Sequence, residues 1–143
     1  MEARFRTLLI IWAAMLSGVV TYTAVVFVVL RLGVMEMPAL PSWVMTAVAS
    51  ALLIYMGGVT VVRRRMVEAI PAGIAQDARL ARYQTATIVG LGLLEAGGLM
   101  LISAGILARS PTWVLAGGGA SLWMMALARP QRSEAGIGGP RRR

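Results

Sequence analysis

The stretch "YQTATIVGLGLLEAGGLMLISAGILA", Tyr83 to Ala108, carries one charged side chain, Glu95, in an otherwise uncharged run. At about 1.5 Å per residue, a helix of this length exceeds the roughly 30 Å of bilayer hydrocarbon. Three further runs have no charge at all, so the spans fall at about 7–30, 42–62, 83–107 and 112–128. The chain of 143 residues is 58% hydrophobic and only 14% charged, well apolar of the soluble balance. The expected fold is therefore an all-α integral membrane protein, a bundle of four transmembrane helices over residues 1–128. Residues 129–143 form a basic tail whose Gly136, Gly138, Gly139 and Pro140 predict flexibility.

The absent residue types exclude much chemistry. There is no Cys and no His, which removes disulfides, thiol chemistry and the common zinc and haem ligand sets. Neither Ser-His nor Cys-His catalysis is available, so no enzyme and no cofactor are expected. Ten Met residues scattered over the spans suit gap-filling in a bundle, and without Cys or His beside them they predict no metal site. All 14 basic residues are Arg, and the net charge is +8. That charge is permanent, and its placement at span ends predicts a membrane surface and no nucleic acid.

Arginine placement also orients the chain. The N-terminus has 2, the loop after span two has 5 and the tail has 5, against one in each remaining loop, Arg31 and Arg109. By the positive-inside rule both termini and the long loop are cytoplasmic, in a cell (inner) membrane of bacterial type. Trp43 and Trp113 open spans two and four on the opposite side, where indoles sit among headgroups. "MEARFR" could open a secretory signal, but the 24 uncharged residues after it exceed an h-region of about 7–15, so the segment reads as a span. Arg4 to Arg31 and Arg82 to Arg109 are both 27 residues apart, and "PSWVM" at Pro41 answers "PTWVL" at Pro111. Two readings of these tandem hairpins stand: a parallel duplication, or convergence on a sensible helix start.

Counted from the span ends, the midplane lies near Gly18, Leu52, Glu95 and Ala120, so Ser17, Ser50 and Ser121 fall near the depth of Glu95. A charged side chain there costs about 2.5–3.5 kcal/mol on the insertion scale, so Glu95 should face the bundle. The economical state is a neutral carboxyl hydrogen-bonded to these serines; the functional alternative is a proton or cation site. At 100° per residue Glu95 shares a stripe with Gln84, Ile88, Leu91, Leu99 and Ile102, while Ala86, Gly90, Gly97 and Ala104 form the opposite one. Gly92 and Gly98 flank Glu95, and Gly117, Gly118 and Gly119 repeat the theme in span four. These glycines predict close helix packing, with span three central in a bundle or in a tight oligomer, although three successive glycines also suit an unwound segment.

The run "RYQTATIVGLGLLEAGGLMLISAGIL", Arg82 to Leu107, resembles the carboxylate-bearing second helix of the c subunit, or proteolipid, of rotary ATPases. That helix typically holds an Ile-Gly-Leu-Ala-Leu-Val-Glu-Ala core. "VEAIPAGIAQDARLAR", Val67 to Arg82, is similar to the family's cytoplasmic polar loop, and the resemblance covers about residues 42–107. It implies that Glu95 carries an ion. The sequence departs from the family in "AVASA", Ala47 to Ala51, where a glycine ridge is usual, in lacking the loop's Arg-Gln/Asn-Pro signature, and in placing the carboxylate on span three of four.

Two functions are expected from these residues. One is a small non-catalytic accessory or structural subunit of a multi-subunit inner-membrane complex, packing on other membrane subunits through small-residue faces. The alternative is a proton- or cation-handling proteolipid-like subunit or small carrier using Glu95. The Arg clusters, Arg63, Arg64 and Arg65 and Arg141, Arg142 and Arg143, would meet anionic headgroups of the lipid bilayer at about 1 kcal/mol each.

Overall fold

The computed structural model describes residues 2–33, 40–71 and 73–135. They form four helices, α1 (Glu2–Arg31), α2 (Ser42–Glu68), α3 (Gln76–Leu107) and α4 (Pro111–Leu127), with no strand among the described residues. Prolines and two left-handed residues set the boundaries. Pro41 precedes α2, and Pro111 occupies the first turn of α4, where a missing N–H costs nothing. After α1 the backbone turns at Gly33, φ 66°, the conformation that terminates helices most cheaply in glycine. The α3–α4 turn is tighter: Arg109 adopts φ 50°, its N–H donates to the Ile106 carbonyl, and the Ser110 N–H donates to the Gly105 carbonyl. That pair of bonds is a Schellman motif, and it fixes the short hairpin in spite of a non-glycine residue at the left-handed position.

The three-glycine segment of α4 is helical throughout, so the unwound alternative does not hold. Every helix alternates direction, and the N-terminal end of α1 lies beside residues 129–135, as shown by Arg132 Nη1 at 3.9 Å from Glu2 Oε1.

α3 is the central element. It packs against α1, α2 and α4, whereas α1 and α2 do not touch and α2 only grazes α4. α1 runs parallel to α3 in the groove it makes with α4. The Gln84 side-chain amide donates to the Arg4 carbonyl at one end, and Tyr22 Oη and Ser103 Oγ lie 2.9 Å apart towards the other. Trp12 Nε1 donates to the Met125 carbonyl across the α1–α4 seam at 2.9 Å. The main core, including Val19, Met56, Leu91, Leu94 and Ile102, lies along α3; a second cluster, with Phe5, Leu8, Leu80 and Tyr83, closes the Arg-rich end.

This arrangement leaves much apolar surface outside. In the most apolar window of each helix, half of α3 is buried, but only 22% of α2 and 11% of α1. Ile10, Ile54, Met100, Leu115 and Trp123 all face outward. Such an apolar exterior is consistent with hydrocarbon around it. α1, α2 and α3 are long and apolar enough to cross a membrane. α4, at 17 residues, covers about 25 Å, the lower limit for a span.

Candidate functional site

Glu95 stands half-buried on the face of α3 turned to α1. A Cβ at Gly18 would lie 3.3 Å from Glu95 Oε1, so it is the lack of a side chain at that point of α1 that makes room for the carboxyl. One turn earlier Gly92 meets Met15 of α1 more loosely, at 3.9 Å from the same kind of added carbon. Among the described residues Glu95 makes no hydrogen bond.

The three serines placed at its depth go to different surroundings. Ser17 and Ser50 lie on exposed faces of α1 and α2. Ser121 is fully buried, but it sits on Gly98, and its hydroxyl has no partner among the described residues. None of the three is hydrogen-bonded to Glu95, so equal depth did not become contact. The reason is angular: depth fixes the height of a residue in a bundle, whereas helix rotation decides where it points.

The glycines mostly do what their spacing predicts. Gly90 and Gly97 receive α2, the first under the aliphatic stem of Arg63 and the second under Met56 and Tyr55. Gly98 receives Ser121, Gly117 lies on the Leu101 backbone, and Gly118 lies under Thr23 of α1. Gly119 is a correction, since nothing stands within 4 Å of an added Cβ there and the residue is exposed. Three consecutive helical positions span 200°, so they cannot all face one interface. Gly105, which the sequence reading passed over, makes the closest backbone approach, with its added Cβ 2.8 Å from the Val114 N of α4.

A second polar cluster lies at the Arg-rich end. Arg63, expected at the headgroups, is 8% exposed and pairs with Glu134, its Nη2 donating to Oε2 at 3.1 Å. The Tyr83 hydroxyl donates to the same carboxylate oxygen at 3.2 Å and accepts the Gln131 N–H at 3.0 Å. One carboxylate thus ties α2, α3 and the segment after α4 together. Arg129 stacks over Trp12 and Arg132 over Phe5, at 5.5 and 5.7 Å from the ring centroids, which adds α1 to the same cap. Of the tail predicted to be flexible, residues 129–135 are tied to the bundle by these contacts, with Pro130 and Ala135 buried and Arg129, Gln131, Arg132 and Ser133 exposed. Residues 136–143, with Arg141, Arg142 and Arg143, lie outside the described residues.

Arg64 and Arg65 are exposed. Arg64 also pairs with Glu68 one turn on, at 2.9 Å, a surface contact worth little by itself. Among the described residues no three His, Cys, Asp or Glu side chains gather as a metal site would need.

With this geometry in view, comparisons with known proteins add no identification: no protein-family model, no curated protein and no solved structure matches the chain.

Proposed function

We propose that this chain is a four-span membrane protein with its Arg-rich end in the cytoplasm, serving as a small non-catalytic subunit of a larger inner-membrane assembly. The outward face of α1 carries this reading. Ala13, Ser17, Thr21 and Ala24 recur along it, all are exposed, and α1 is the helix least buried by its own chain. A small-residue stripe lets another helix approach backbone to backbone, where van der Waals packing drives association in lipid. Apart from the open Gly119, the glycines of α3 and α4 that could have served the same end are occupied inside the bundle.

Purification in mild detergent, followed by identification of co-purifying chains, tests the proposal. The native chain is expected to bring a partner with it, and Ser17→Leu with Ala24→Leu to lose that partner while the bundle keeps its helicity. Migration of the native chain as a lone monomer would sink the idea.

A second reading, ion carriage by Glu95, is favoured by one observation. The carboxyl lies in the α1–α3 seam with Gly18 opposite and no hydrogen bond among the described residues, an arrangement suited to release as well as uptake of a proton. The resemblance of Arg82 to Leu107 to the proteolipid helix supports it. A carbodiimide, which modifies protonated carboxyls in membranes, is expected to label Glu95, and Glu95→Gln to abolish labelling. Failure of the native chain to label at any pH would remove this reading.

A further inference from the structure

Because α2 and α4 both lean on α3 and barely meet, a cleft of about 480 Å³ opens between them at the Arg-rich end. Its polar lining includes Arg63, Arg64, Glu68 and Glu134, and its apolar lining includes Met124 and Leu127 of α4. Arg63 is more than nine-tenths buried, yet among the described residues its Nε has no hydrogen-bond partner. A guanidinium presents its donors as a fork that planar acceptors and phosphates engage two at a time, and Glu134 engages only Nη2. Among the described residues no second acceptor reaches this fork. If α2 and α4 span the bilayer, as proposed above, this cleft stands at the headgroup level, beside the exposed Arg65.

We propose that the cleft binds the headgroup of a phospholipid bearing both a phosphate and a primary ammonium. The phosphate takes the guanidiniums of Arg63 and Arg64, the ammonium takes the carboxylates of Glu68 and Glu134, and an acyl chain follows Met124 and Leu127. Charge decides for a zwitterion. The cleft sets two Arg against two Glu, already paired as Arg63–Glu134 and Arg64–Glu68, so a purely anionic headgroup that drew off the guanidiniums would leave both carboxylates without a partner, whereas a zwitterion replaces what it takes. A quaternary ammonium would balance the charge, but it has no N–H to donate to Glu68 or Glu134.

The test uses the full chain, delipidated in detergent and offered phosphatidylethanolamine, phosphatidylcholine or phosphatidylglycerol of identical acyl chains, with bound lipid counted by native mass spectrometry. Phosphatidylethanolamine is expected to be retained about tenfold or more over either competitor, the factor that one hydrogen bond to a charged group supplies. Arg64→Gln and Glu68→Gln should each remove most of that preference. Both side chains are exposed, so the lipid-free variants should unfold at the native temperature. Equal retention of the three lipids, a preference for phosphatidylglycerol, or undiminished preference in both variants would overturn the proposal. Alkaline carbonate extraction of membranes reports separately on spanning: a chain that resists extraction but shows no preference defeats this inference alone, and an extracted chain defeats the reading beneath it.

Discussion

Gly105→Ala is expected to damage this bundle through a single added methyl, lowering its stability by about 1–3 kcal/mol. The new carbon would stand 2.6 Å from Val114 Cγ2, 2.8 Å from Val114 N and 3.1 Å from Val114 Cα. A side-chain methyl can rotate away, but the main chain of α4 cannot. The Schellman turn from Ala108 to Ser110 joins the helices within a few residues, and the Ser110 N–H is itself bonded to the Gly105 carbonyl at 3.2 Å. Relief therefore requires parting α3 from α4 and opening the turn. The intrinsic helix preference of Ala over Gly offsets at most about 1 kcal/mol. Gly119→Ala is the control, since it gains the same preference and meets nothing within 4 Å. Titration from mild detergent into dodecyl sulfate, followed by circular dichroism, should show Gly105→Ala losing helix well before the native chain and Gly119→Ala no earlier. Coincident midpoints for the two variants would contradict the packing described for the hairpin.

The second large effect is asymmetric across one ion pair. Glu134→Ala is expected to loosen residues 129–135, whereas Arg63→Met should be nearly neutral. Removing the carboxylate leaves the Arg63 guanidinium buried and uncompensated, with the Tyr83 hydroxyl deprived of its acceptor. Stranding a charge in a fully buried pair costs about 3–5 kcal/mol; here the Glu134 side chain is 35% exposed, so water screens the pair and about 1–2 kcal/mol is expected. The reverse substitution leaves a carboxylate that can reach water and keeps an apolar stem on Gly90. Trypsin reads the difference. Arg132 should be cut in Glu134→Ala at enzyme levels that spare the native chain and Arg63→Met. Equal protection in all three chains would show that the pair does not hold the segment.

How much of this was legible beforehand depends on whether a feature is local. The helices follow from uninterrupted apolar runs, and their starts from Pro41 and Pro111, because hydrophobicity and a missing N–H act within a turn or two. The helical period alone set Glu95 and Gln84 on one face of α3 and Gly90 and Gly97 on another, and the faces do meet different neighbours, α1 and α2. The same period could not bring Ser17 or Ser50 to Glu95, since it says nothing about how a neighbouring helix is rotated. Gly105 escaped notice because its importance comes from Val114 on the next helix, which no pattern within α3 reveals.

By itself the sequence determined an all-helical chain with a midspan carboxyl and small residues where helices must approach, since composition and periodicity act on short segments. Only the tertiary structure decided that α3 is shared by the other three helices, and that a charge expected at the headgroups, Arg63, goes inside. Its partner Glu134 lies 71 residues away in sequence, and an ion pair of that separation leaves no periodic trace. It forms because Gly90 admits the arginine stem while α4 returns the chain to the same end of the bundle, two conditions that are met only when all four helices are in place.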